Sequence, residues 1–77
     1  MTVSTSVQVQ LNGKISGVYQ LSIFDISGKI IWRKAINKSG GSVTETINTA
    51  NIPGGAYLLQ VLSPDQKKTV QKLIKAN

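Results

Sequence analysis

The chain has 77 residues, with nine Lys or Arg against three Asp or Glu, a formal charge of +6, and neither cysteine nor histidine. A chain of this size buries only roughly 60% of its unfolded surface, so one modest core is the ceiling, and no disulfide or zinc cluster can staple it. The same inventory argues against acid–base catalysis near neutral pH, no apolar run approaches the ~20 residues that span a bilayer, and no basic-then-apolar leader opens the sequence, which places any export leader elsewhere.

Apolar residues recur mostly with period two, the pattern of strands with one face in a core and one in water. Val7, Val9 and Leu11 alternate with Gln8 and Gln10, and Asn12-Gly13 offers a tight turn that predicts a hairpin there or slightly beyond. Tyr19, Leu21 and Ile23 share a face opposite Gln20 and Ser22, and Asp25-Ile26-Ser27-Gly28 supplies turn chemistry before Lys29, a second hairpin. Beyond it Ile30, Trp32 and Ile36 point one way, with Lys34 interrupting, and Trp32 is the expected core anchor.

The stretch Asn37-Lys38-Ser39-Gly40-Gly41-Ser42 is too polar and glycine-rich to bury and reads as a loop. A weaker strand, 43–48, places Thr44 and Thr46 on one face, with Glu45 expected in solvent. After the break at Asn51-Ile52-Pro53-Gly54-Gly55, residues 56–62 alternate again, with Tyr57, Leu59 and Val61 on one side and Leu58 and Leu62 on the other. This is the most apolar strand and the best candidate for a central position. Ser63-Pro64-Asp65-Gln66 fits a helix capping box as well as a hairpin turn, so local sequence leaves 64–75 open between helix and strand.

Short strands with turns between them predict an all-β protein of six to seven strands, a small antiparallel sandwich or barrel, with residues 1–77 as a single domain. Its expected buried residues are Tyr19, Leu21, Trp32, Ile47, Tyr57, Leu59 and Val61.

Chemistry-bearing groups are sparse. Asp25, Glu45 and Asp65 lie far apart, and the two aspartates sit in turns, where they hydrogen-bond backbone amides. Three or four convergent metal ligands are not in view, although loop carbonyls could still hold calcium. Gly40-Gly41 and Gly54-Gly55 open no helix and precede no Lys-Ser pair, so they read as turn glycines and not as a phosphate cradle. Lys14, Lys29, Lys34, Lys38, Lys67, Lys68, Lys72 and Lys75 are scattered near turns and strand ends, which fits solvated, edge-protecting residues better than a nucleic-acid face. Tyr19, Trp32 and Tyr57 fall in apolar registers, leaving Phe24 as the one aromatic placed for an exposed contact.

Three segments, in order, resemble the C-terminal sorting domain of the type IX secretion system of Bacteroidetes-type bacteria. Leu21-Ser22-Ile23-Phe24-Asp25-Ile26-Ser27-Gly28-Lys29-Ile30-Ile31 is similar to that family's strand, D-x-x-G-[KR] turn and return strand. Ile52-Pro53-Gly54-Gly55-Ala56-Tyr57-Leu58-Leu59-Gln60-Val61 resembles its L-P-x-G-x-Y-x-x-x-V segment, and Lys72-Leu73-Ile74-Lys75 its lysine-bracketed aliphatic ending. The resemblance covers residues 17–75, and the Y-P-N-P type opening of many such domains is absent from residues 1–16.

What the resemblance implies is an immunoglobulin-like sandwich that carries a covalently fused N-terminal cargo from the periplasm to an outer-membrane translocon, where a surface sortase-like protease removes it and the cargo is released or joined to lipopolysaccharide. It implies a non-catalytic domain with no cofactor, no metal, no nucleic-acid partner and no transmembrane segment, secreted or at the cell surface. Asp25, Gly28, Lys29, Pro53, Gly55 and Tyr57 are its motif residues here, and Lys72, Leu73, Ile74 and Lys75 its expected recognition element. It also favours a strand over 68–75, pairing with the Tyr57 strand. An accessory binding module, fibronectin-like or carbohydrate-binding, would instead show exposed aromatics in a flat row, and an adhesin-like spacer would come in tandem copies.

Overall fold

A computed structural model describes residues 2–3, 5–12 and 15–76, of residues 2–3 the backbone alone. The described residues form seven strands and no helix: β1 (Thr2–Val3), β2 (Ser6–Leu11), β3 (Gly17–Asp25), β4 (Ile30–Lys38), β5 (Val43–Asn48), β6 (Gly55–Leu62) and β7 (Lys68–Lys75). They make a five-stranded sheet in the order β1-β7-β6-β3-β4 and a two-stranded sheet of β2 and β5. All pairs are antiparallel except β1 with β7. This is the expected immunoglobulin-like sandwich, with the apolar β6 at the centre of the larger sheet.

The core is a single cluster joining both sheets. Val7, Val9, Leu11 and Ile47 come from the small sheet, and Tyr19, Leu21, Ile23, Ile36, Tyr57, Leu59 and Leu73 from the large one. Each is a period-two position, so alternation alone sends it inward. Both core tyrosines carry their hydroxyls to backbone carbonyls four residues upstream, Tyr19 to Ile15 at 2.7 Å and Tyr57 to Pro53 at 2.5 Å. A buried phenol needs a partner, and these bonds also tie each strand to the segment leading into it.

Two hairpins share one geometry. In Asp25–Lys29 the Asp25 amide donates to the Lys29 carbonyl (2.9 Å) and the Gly28 amide to the Asp25 carbonyl (3.0 Å). In Ser63–Lys67 the Ser63 amide donates to Lys67 (2.9 Å) and the Gln66 amide to Ser63 (3.0 Å). Each turn needs its fourth residue in the left-handed region, filled by Gly28 (φ 90°) in the first and by Gln66 (φ 70°) in the second. The second turn settles the ambiguous segment: β7 pairs with β6 from Lys68 opposite Leu62 to Lys75 opposite Gly55, as the resemblance implied. The capping-box signal serves a hairpin instead, with the Ser63 hydroxyl donating to the Asp65 carboxylate within the turn.

Several expectations fail for physical reasons. The Asn12-Gly13 hairpin does not form, because both edges of β3 are taken by β4 and β6, and β2 pairs with β5 in the other sheet. Gly13 and Lys14 lie outside the described residues. Ile30 does not share the face of Trp32. The β3–β4 register shifts between Ile23 and Phe24, leaving Ile31 as the extra residue of a bulge and placing Ile30 opposite outward-facing Phe24. Trp32 packs on the core but is only half-buried, since β4 is an edge strand with a neighbour on one side.

Val61 is half-buried as well, because two strands cannot cover five. An open groove of about 480 Å³ remains between β2 and β7, lined by Leu11, Ile15, Leu59, Val61, Thr69 and Gln71. This explains why Thr69 and Gln71, on the inner side of β7, are polar and exposed.

The loop expected over 37–42 begins later. Lys38 ends β4 with 0% exposure, in contrast to the solvated role read from its neighbours. Glu45 is not free in solvent either: its carboxylate meets the Lys34 Nζ at 3.0 Å with 19% side-chain exposure, joining the two sheets along the β4 and β5 side. Thr49 is buried and its Oγ1 has no hydrogen-bond partner among the described residues.

Candidate functional site

The three sequence segments that carry the resemblance meet at one end of the large sheet. Asp25 at the end of β3 lies opposite Tyr57 of β6, and Tyr57 lies opposite Leu73 of β7. Gly55 lies opposite Lys75, and Leu58 opposite Lys72. Segments far apart in sequence thus lie on three consecutive strands of one sheet, β3, β6 and β7, and their common end is the candidate site.

Within it, the motif residues of the first two segments are framework. The Asp25 Oδ1 accepts from the Ser27 amide (3.0 Å), the Ser27 hydroxyl (2.6 Å) and the Lys29 amide (3.0 Å). Hydrogen bonds to the ionised form favour it, so the Ser27 hydroxyl, and after it the Lys29 amide, hold this carboxyl below its ordinary range. Gly28 takes the left-handed conformation that closes the turn. Lys29 contributes backbone to the turn and leaves its side chain exposed. Pro53 supplies the carbonyl that anchors Tyr57, and Gly55 opens β6.

The last segment splits by face. Leu73 (1% exposed) enters the core, and Lys75 is also buried on the inner side, its Nζ donating to the Ala76 carbonyl at 2.9 Å. Lys72 and Ile74 face outward and are exposed. Beside β7, the short β1 pairs only at Ile74 and Lys75. The terminal strand therefore offers Lys72 and Ile74 side chains on one face, while its neighbours fix Leu73 and Lys75.

Sequence reasoning missed what the sheet sets next to Lys72 and Ile74. Cross-strand registers form an outer row of Lys72, Leu58, Phe24 and Ile30, with Val70, Gln60, Ser22 and Arg33 in the row beside it. Leu58, Ile30, Val70 and Ile74 are exposed and Phe24 is half-buried. The available signal was the even-numbered leucines of 56–62, which alternation sends outward. Only the register shift at Ile31 hid Ile30.

The aromatics form no flat row. Tyr19 and Tyr57 are in the core, and Trp32 and Phe24 fall on opposite faces of the large sheet. Among the described residues no three His, Cys, Asp or Glu are grouped to hold a metal, and no helix is long and apolar enough to cross a membrane.

A search of curated proteins gave no match. A family model described as the secretion system C-terminal sorting domain matches residues 3–76, nearly the whole chain, including all three converging segments. The strands those segments form, the turn that Asp25 and Gly28 close and the corner that Tyr57 makes give that match a structural basis. The chain belongs to the family of secretion system C-terminal sorting domains, the sorting signals of type IX secretion.

Proposed function

We propose that residues 1–77 act as one unit that directs a fused N-terminal cargo from the periplasm across the outer membrane, through recognition of β7 by the translocon. The cargo then reaches the surface or the medium, and a surface sortase-like protease cuts the unit away. The chain performs no catalysis itself. It works as a rigid label whose readable part includes the end of β7.

The observation that carries this reading is the family match over 3–76 together with the placement of its last segment on β7, where Lys72 and Ile74 are exposed above a buried Leu73. A strand that displays alternate side chains while its backbone is held by a sheet can be read with few residues. Lys72, Leu73, Ile74 and Lys75 divide the work: Lys72 and Ile74 meet the translocon, while Leu73 and Lys75 hold the strand in its register. Their plainer role, keeping the end of a sheet soluble, predicts no effect on delivery.

The test uses a fluorescent cargo with an export leader, fused to the chain in a bacterium that has this secretion system. Deletion of residues 72–77 removes Leu73 from the core, so a second variant, Lys72→Ala with Ile74→Ser, changes only exposed side chains. Surface delivery is expected to fall in both, with the second still folded by near-UV circular dichroism. Undiminished delivery by both variants would show that the terminal strand is not the signal.

A further inference from the structure

The outer face of the five-stranded sheet combines exposed apolar side chains with cations and, among the described residues, carries no acidic side chain. Leu58 (43% exposed) and Ile30 (45%) lie on either side of the half-buried Phe24, and Ile74 (37%) extends the apolar area onto β7 beside Lys72. Lys72, Arg33 and Lys68 flank them on the same face, by the registers Lys72 opposite Leu58, Arg33 opposite Ser22 and Lys68 opposite Leu62. The three acidic side chains lie elsewhere: Asp25 and Asp65 in turns, Glu45 on the small sheet against Lys34. By contrast, the outer face of the small sheet shows only Gln8, Gln10, Thr44 and Thr46 at its exposed positions on β2 and β5, apart from Ser6 and Asn48 at the ends.

Strands in a sheet stand about 4.8 Å apart, so a row across four of them spans roughly 14 Å. Leaving contiguous apolar side chains in water on a chain with so small a core is unfavourable, and such patches mark contact sites. An apolar centre with a charged rim is also the anatomy of a protein–protein contact.

Resting on the sorting reading above, we infer that this outer face, and not the terminal strand alone, is the recognition surface, and that its occupant is a protein surface with an apolar centre bordered by carboxylates. Charge complementarity fixes the sign of the border. The apolar centre, drawn from β3, β4 and β6 as well as β7, requires the sandwich to be folded before it can be read. The label is therefore a surface assembled from four strands, and a linear tag made of the last residues lacks most of it.

The experiment compares surface delivery of the leader-bearing fluorescent fusion for the intact chain and three variants, each checked for folding by thermal melting. Leu58→Ser with Ile30→Ser removes the centre, Arg33→Glu with Lys68→Glu reverses the border, and Gln8→Glu with Thr46→Glu places the same charges on the small sheet. The first two are expected to lower delivery about tenfold or more, the effect of losing central contacts in an interface, and the third to leave it unchanged. Normal delivery by the folded Leu58/Ile30 variant, or by the charge-reversed one, would overturn the inference and leave the sorting reading intact. An intact fusion that is never delivered would overturn the sorting reading, and this inference with it. Purified chain is also mixed with vesicles of phosphatidylcholine containing phosphatidylglycerol. No binding is expected, whereas binding that the Leu58/Ile30 variant loses would assign the face to a lipid surface and overturn the protein partner.

Discussion

Individual side chains here divide into those that alternation identifies and those that an edge or an end decides. Leu21 is fully buried and flanked by strands on both sides, whereas Trp32 has the larger side chain but sits on edge strand β4. Leu21→Ala should therefore cost about 2–5 kcal/mol, and Trp32→Ala, at a half-buried position on an edge strand, only about 2 kcal/mol. Urea unfolding followed by circular dichroism ranks the two, and a greater loss at Trp32 would show that the tryptophan is the anchor after all. Reading Trp32 as the anchor came from residue type, which says nothing of how many neighbouring strands a position has. Lys38 shows the same limit, since nothing in its polar, glycine-flanked surroundings marks a lysine with no exposed surface. Tyr19, Leu21, Ile47, Tyr57 and Leu59 were legible because each is an apolar residue at an inward position of an interior or well-covered strand.

At the scale of elements, β2 to β6 were visible as alternating runs, β7 was open between helix and strand, and the pairing of the strands was not visible at all. The hairpin expected at Asn12-Gly13 illustrates this, because a local turn signal cannot report that β3 already has two partners. The bulge at Ile31 is equally silent in sequence, although one extra residue moves Ile30 from the inner face to the outer one. For β7 the competition was between a local helix signal and strand pairing, and pairing with β6 along eight residues prevails. The turn that makes this possible holds Gln66 at φ 70°, where the matching turn has Gly28. A side chain there is disfavoured by roughly 1–2 kcal/mol, and glycine gives part of that back through its greater freedom when unfolded. Gln66→Gly should consequently stabilise the protein by about 0.5–1 kcal/mol, raising the melting temperature by several degrees. A lower melting temperature would mean that the Gln66 side chain makes a contact worth more than the strain.

Taken whole, the molecule is an unequal sandwich, five strands against two. That inequality leaves the groove beside β7 open and gives the large sheet a broad outer face. The three family segments become neighbours only in the fold, so their common end was readable as three motifs in order but not as a place. The motif residues proved to be mainly turn and corner residues, and the surface they support had to be found from the registers. The central claim of the sorting reading is that the chain suffices to route a protein outward. The most direct measurement is to attach residues 1–77 to a leader-bearing fluorescent protein and measure protease-accessible fluorescence on intact cells, in one strain with the type IX translocon and one lacking it. The account predicts surface fluorescence in the first strain and periplasmic retention in the second. Equal surface fluorescence in the two strains, or retention in both, would contradict it.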